Sequence, residues 1–253
     1  MNQDYIKADP WSIIEEGFDI GTLEKIVASM DAALGECGAA IVTGDTKVVP
    51  KGAADGLFIN TSGIGLIPDH VHIGSTGAQP GDRVILSGTM ADHGMTILTQ
   101  REGLSFDGAL QSDSAPLNHM VKKMFMASRD IHVLRDPTRG GLAASLNEIA
   151  EASSVGISID ERALPVRDEV RAACEILGLD PLYVANEGVF CAVVIPISSA
   201  AVLEFMRKHP KGSRAALVGE LREAHPGKVV MESPVGGTRI VTPLIGEQLP
   251  RIC

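Results

Sequence analysis

The stretch LRDPTRGGLAASLNEIA occupies Leu134 to Ala150. Its second half reads as a helix opened by Thr138, with Asp136 just ahead of it and Gly140 and Gly141 in its first turn. Small residues there let backbone N–H groups approach an anion, and a helix N-terminus favours negative charge. Arg135 and Arg139 add cationic donors. The ordinary alternative is a capped helix whose glycine pair permits close packing. Against it, each glycine costs a helix about 1 kcal/mol relative to alanine. The pattern is not a phosphate loop, because neither GxxxxGK[ST] nor GxGxxG is present.

Outward from this helix, strand and helix patterns alternate, which predicts an α/β (α+β) fold. Upstream, TLEKIVASMDAALGECG (22–38) is a helix that Gly35 and Gly38 suit to stop. AAIVTGDTKVV (39–49) reads as a strand entering a loop, and GLFINTSGIGLI (56–67) as a second strand. GDRVILSGTM (81–90) is a strand, and DHGMTILTQRE (92–102) and APLNHMVKKMFMA (115–127) are helices. Downstream come the strand GISID (156–160), the helix RDEVRAACEILG (167–178), the strand GVFCAVVIP (188–196) and the helix SSAAVLEFMRKHP (198–210). Three strands follow, AALVGEL (215–221), KVVME (228–232) and TRIVT (238–242).

Pro68, Gly74, Gly77, Pro80 and Gly81 mark a seam. The expected organisation is a small strand-rich domain (1–75), a larger α/β domain (76–242) and a mobile tail (243–253). Hydrophobic residues make up 45% of the 253-residue chain, enough for a sizeable core, and aromatics only 4%. The net charge of -10 argues against nucleic acid or an anionic membrane as the main partner. No apolar run is long enough to span a bilayer and the N-terminus has no signal-peptide pattern, so the expected compartment is the cytoplasm.

Other stretches carry chemistry-bearing residues. VTGDTKVV places Asp45, Thr46 and Lys47 together. Asp45 can hold a magnesium ion and Lys47 can meet phosphate oxygens or polarise a carbonyl, although an ordinary turn explains them equally. Asp92, in TMADHGM, reads as an N-cap and His93 as a packing histidine. His70 and His72 resemble a metal pair without a third ligand, and Met120 to Met126 reads as core. VANEGVFCAVV sets Glu187 just ahead of a buried strand, where a carboxylate is either a base or a solvated loop residue. Of four cysteines, Cys37, Cys174, Cys191 and Cys253, none pairs at a CxxC spacing, and Cys253 is the last residue. A tail from Pro243 reaches on the order of 30 Å when extended. That is enough to carry a group on the Cys253 sulfur into a cleft.

Taken together, AIVTGDTKVV, KGAADGLFINTSGIG, LSGTMADHGMTIL, LRDPTRGGLAASLNEIA, ANEG and the closing PRIC resemble the HypE family of hydrogenase maturation factors. That family sits within the ATP-using aminoimidazole ribonucleotide synthetase and selenophosphate synthetase superfamily. The resemblance implies that a HypF-type carbamoyltransferase loads a carbamoyl group onto Cys253. ATP then phosphorylates the amide oxygen, phosphate leaves, and a thiocyanate remains. Its cyanide passes to iron on a HypC–HypD complex for the [NiFe] hydrogenase centre. By the same resemblance Glu187 is the base and Lys47 polarises the amide. Asp45 and Thr46 help hold Mg2+-ATP, and Asp136, Thr138, Arg139, Gly140 and Gly141 shape the nucleotide cleft.

The family carries a longer N-terminal region with an Asn-Asp pair for Mg2+-ATP and a strand that joins a dimer barrel. The chain begins at MNQDYIKADPWSIIEEG, where the family has already reached the strand before its first long helix. The expectation is therefore a truncated form with a partial barrel-forming sheet. The alternative function is an ATP-incompetent carrier or adaptor that accepts carbamoyl and binds the maturation partners. A selenophosphate synthetase is disfavoured, because that family's reactive Cys or Sec lies near the N-terminus.

Overall fold

The computed structural model describes residues 7–104 and 110–244. The expected tail from residue 245 onward, Cys253 included, lies outside the described residues. Contacts divide the chain into two units, Met1–Asp69 and His70–Cys253.

The first unit is built on β1 (Lys7–Glu15), α1 (Ile20–Cys37), β2 (Ala40–Ile41), β3 (Asp45–Val49) and β4 (Leu57–Ile64). β4 runs antiparallel along one edge of β1, so β2 and β3 share the other edge end to end, both parallel to it. Pro10 sits at the break between them. It has no N–H to give, and Gly44 packs there so closely that a Cβ would lie 2.8 Å from the Pro10 carbonyl oxygen. Asp19 caps α1 by accepting from the Thr22 N–H at 2.7 Å, and Gly38, at φ 67°, ends it. The Glu15 carboxylate accepts from the Gly52 and Gly56 N–H groups, which closes the β3–β4 turn and lowers its pKa. No residue of α1 is buried, and Trp11, Val48, Phe58 and Ile64 of the strands are all exposed.

GDTK was expected in a loop after a buried strand. Asp45, Thr46 and Lys47 instead open β3, paired with Trp11, Ser12 and Ile13, and all three are exposed. The β-branched run that follows Gly44 satisfies its backbone on β1, so the loop closes earlier, at Val42–Gly44.

The second unit is a seven-stranded sheet in the order β11-β10-β7-β9-β5-β8-β6. Its strands are β5 (Arg83–Leu86), β6 (Ile131–Arg135), β7 (Gly156–Asp160), β8 (Cys191–Val194), β9 (Ala216–Arg222), β10 (Val229–Glu232) and β11 (Thr238–Val241). Only β10 with β7 is parallel. The helices are α2 (Asp92–Arg101), α3 (Asn118–Ala127), α4 (Gly141–Ser153), α5 (Asp168–Leu177) and α6 (Pro196–Arg207). Strand residues alternate between two cores. Val84, Leu86, Cys191 and Val193 join Leu142, Leu146 and Ile149 of α4. Ile85, Ala192 and Val194 join Met120 and Met124 of α3 and Val202 and Met206 of α6. The methionines of α3 are thus core as expected, except for Met126, which is exposed.

Strand β6 has no counterpart in the sequence reading. A polar His132 and a register shift beside it interrupt its apolar pattern. The second difference is the start of α4. Thr138 does not open the helix. Its hydroxyl turns to Asp136 Oδ2 at 3.2 Å, and both Gly140 and Gly141 are left-handed, with φ of 71° and 62°. The helix begins only at Gly141, where a Cβ would stand 2.4 Å from the Leu182 carbonyl oxygen. Close packing therefore accounts for Gly141. Replacing Gly141 with Ala meets both the left-handed backbone and that contact, and is expected to lower stability by about 2–4 kcal/mol. A shift of the urea midpoint at unchanged slope checks it.

Candidate functional site on the rim of the larger unit

Asn186 has no solvent exposure. Its Oδ1 accepts the Ala91 N–H at 2.7 Å, and its Nδ2 donates to the Pro137 carbonyl at 2.9 Å and to that of Val184 at 3.0 Å. One carboxamide thereby joins the loop before α2, the loop before α4 and its own loop before β8. Ala91 holds a φ of 71°, unusual for a residue with a Cβ, at the point where Asn186 grips it. Gly94 reinforces the joint by donating to the Ala185 carbonyl at 3.1 Å.

Glu187 follows directly and is half-buried. Its N–H and that of Gly188 both donate to Asp113 Oδ1, at 3.0 and 3.1 Å. A Cβ on Gly188 would lie 1.7 Å from the Asp113 carbonyl oxygen, so the two backbones touch. The other Asp113 oxygen, Oδ2, is buried without a hydrogen-bond partner.

Asp92 was expected to cap α2. It lies instead inside the first turn, buried, and the left-handed Ala91 takes the cap position with no side-chain bond. Asp92 Oδ1 meets Arg167 Nη1 at 3.2 Å, while Oδ2 is buried and unbonded. Burial pushes this carboxyl above its ordinary value and the Asp113 charge adds to the rise, against the Thr89 hydroxyl and Arg167.

The RDPTRGG loop contributes Asp136 at the exposed edge of the rim. Asp136 accepts from Arg135 Nη1 at 2.8 Å, and Arg135 also reaches Glu148 at 2.9 Å. Arg139 is exposed, and the Gly141 N–H is taken by the Thr138 carbonyl. The structure thus brings Glu187, Asp136, Thr138 and Gly140 onto loops that meet at Asn186. Asp45, Thr46 and Lys47 belong to the other unit. Asn186, Asp113 and Arg167 were not singled out in the sequence. Only Asn186 left a signal there, as the neighbour of Glu187.

His93 Nδ1 lies 2.8 Å from the Ser112 hydroxyl, a structural role. Among the described residues no three His, Cys, Asp or Glu side chains are placed to hold a metal, His70 and His72 included. Asp45 is an exposed carboxylate whose Oδ1 accepts from the Thr46 N–H at 2.8 Å. Its chemistry suits a Mg2+ ion that keeps most of its shell as water and phosphate oxygens. Burial pushes the Cys174 thiol up to about 11 and the Cys191 thiol up to about 12, so neither is a nucleophile near neutral pH.

Residues 79–232 match the AIR synthase related protein, C-terminal domain family. The chain is 53% identical to the carbamoyl dehydratase HypE of Azotobacter vinelandii, over 95% of this chain and 71% of that one. It belongs to the HypE family. A crystal structure of the hydrogenase maturation protein HypE in complex with ATP superimposes with a TM-score of 0.92 at 49% identity, covering 99% of this chain and 75% of that one. A HypE–HypF complex gives a TM-score of 0.91 at 45% identity, covering 94% and 77%. The mixed α/β architecture derived from the residues is therefore that of HypE. Among the described residues no helix is long and apolar enough to cross a membrane.

The geometry of this rim makes two predictions. Asn186→Ala strands the buried Ala91 N–H and removes the donors to Pro137 and Val184, and is expected to cost about 2–4 kcal/mol in urea unfolding. The second concerns pH. The folded-state pKa of Asp92 is raised from 3.8, so its contribution to stability is full below that value and is lost as pH rises through the folded one. Asp92→Asn removes this dependence. The stability of the wild type relative to Asp92→Asn is expected to fall as pH climbs from about 4, measured by urea midpoints across the range.

Proposed function

We propose that this chain is an ATP-dependent carbamoyl dehydratase that converts a carbamoyl group on Cys253 into a thiocyanate, supplying cyanide for the iron of the [NiFe] hydrogenase centre. The observation that carries this reading is the 53% identity to a carbamoyl dehydratase over 95% of the chain. ATP supplies the phosphoryl group that turns the amide oxygen into a leaving group. Two N–H protons must also depart, and Glu187 is the proposed base, on a loop whose backbone is pinned at Asn186 and Asp113. Lys47 is assigned polarisation of the amide. Asp45 and Thr46 are assigned to Mg2+-ATP, and Asp136, Thr138, Arg139, Gly140 and Gly141 to shaping the nucleotide cleft. The high pKa values of the Cys174 and Cys191 thiols favour Cys253 as the carrier.

The proposed partners are a HypF-type carbamoyltransferase, in keeping with the HypE–HypF complex of a relative, and a HypC–HypD complex that receives the cyanide. A homodimer is proposed as the cover for the apolar surface of the first unit, where Trp11 is 57% and Phe58 53% exposed. The proposed compartment is the cytoplasm.

Intact-mass analysis after incubation with the carbamoyltransferase, its carbamoyl donor, ATP and Mg2+ tests the reading. The expected sequence is a carbamoyl adduct followed by loss of one water. Cys253→Ala is expected to abolish the adduct. Glu187→Gln is expected to keep the adduct and slow its dehydration by about 10²–10⁴-fold. An adduct on the wild type that never loses water would make the chain a carrier only.

A further inference from the structure

Asp113 reaches Glu187 across 74 residues of sequence, and nothing about local chain geometry requires the contact. Its Oδ1 collects two successive backbone N–H groups, those of Glu187 and Gly188, at 3.0 and 3.1 Å. Hydrogen bonds to an ionised acceptor are roughly twice as strong as neutral ones. The Gly188 position admits no side chain against the Asp113 backbone, so the two segments have a single close register. On the other side of Glu187, Asn186 is itself fixed by donating Nδ2 to the Pro137 and Val184 carbonyls. Glu187 is therefore bracketed, with its backbone N–H held by Asp113 and its neighbour Asn186 held by the Pro137 and Val184 carbonyls. Its own side chain is left out of this backbone network.

A second observation separates Asp113 from an ordinary loop staple. Its Oδ2 is buried without a hydrogen-bond partner, so the fold tolerates an orphaned carboxylate oxygen at this point. A loop staple alone is met by one acceptor oxygen, and a carboxylate whose second oxygen has no partner carries a desolvation cost. Asp92 Oδ2 is buried and unbonded as well, and the two carboxyls repel one another. What Asp113 secures is the placement of the Glu187–Gly188 backbone.

We propose that Asp113 is the positioning residue that sets Glu187 for proton abstraction, by fixing the Glu187–Gly188 backbone through Oδ1. The inference rests on the reading of Glu187 as the base. Asp113 acts through the Glu187–Gly188 backbone, so its loss is expected to act on the chemical step and not on nucleotide affinity.

The experiment is single-turnover dehydration of the carbamoylated chain, followed by intact mass, for Asp113→Ala, Asp113→Asn, Glu187→Gln and the Asp113→Ala/Glu187→Gln double variant. Displacing a catalytic group by about 1 Å costs on the order of 10²-fold, so Asp113→Ala is expected to slow the step by about 10–100-fold. The ATP concentration giving half-maximal rate should move less than about threefold. Asp113→Asn keeps an oxygen at the acceptor position and is expected to restore most of the rate. The double variant should be no slower than Glu187→Gln alone, because Asp113 acts through Glu187.

Hydrogen exchange of the wild-type protein supplies a readout that needs no variant to fold. The Glu187 and Gly188 amides are expected to be protected, and rapid exchange at both overturns the proposal. So does a wild-type rate in Asp113→Ala, a further loss in the double variant, or a large shift in ATP dependence. A wild-type rate in Glu187→Gln sinks the reading of Glu187 as the base and takes this proposal with it. A slow Glu187→Gln beside a fast Asp113→Ala sinks the positioning role alone.

Discussion

A buried carboxamide with two donors and one acceptor, all engaged, holds the rim of the larger unit together at Asn186. Three loops arrive there from different parts of the chain, and each presents a backbone group to the carboxamide. Aspartate has no N–H to offer Pro137 and Val184, and leucine satisfies none of the three. In a low-dielectric interior an unmatched polar group is costly, so the three loops hold together or loosen together.

Glycines complete what the carboxamide begins. Gly94 lies against Val184 and the Ala185 backbone, Gly141 against the Leu182 and Val184 carbonyls, and Gly188 against the Asp113 carbonyl. At each place a methyl group would fall inside van der Waals contact. At Gly141 and Gly188 the loops are thus spaced by backbone against backbone. Three left-handed residues, Ala91, Gly140 and Gly141, absorb the tight turns this spacing demands.

Much of this architecture could be read in the residues, and its gaps have physical causes. The alternating apolar runs of β7, β8, β10 and β11 and the periodic helices α4 and α5 announce themselves, because burial on one or both faces imposes a strict pattern. Strand β6 did not, since His132 breaks its run and its burial depends on neighbours far away in sequence. GDTK read as a loop because glycine and aspartate favour turns, whereas pairing with β1 overrides that preference. Glu187 and the RDPTRGG segment stood out through their composition and a family resemblance. Asp113 gave no local sign at all, because its meaning comes from two amides 74 and 75 residues away. The Asp92 reading failed for a related reason. An acidic residue at a strand–helix junction has the sequence signature of a cap, and only packing shows that the chain turns one residue earlier.

The depth of the two thiols in the larger unit has a consequence for chemical selectivity. Cys174 lies in the apolar cluster between α2 and α5, and Cys191 is enclosed in the sheet, where its sulfur donates to the Arg135 carbonyl. An electrophile arriving from solvent meets neither as a thiolate. Cys37, only half-buried on α1, is the described cysteine that burial does not remove from competition. The fold removes two competitors in advance, much as a protecting group does in synthesis, and it does so without any covalent bond to be made or undone.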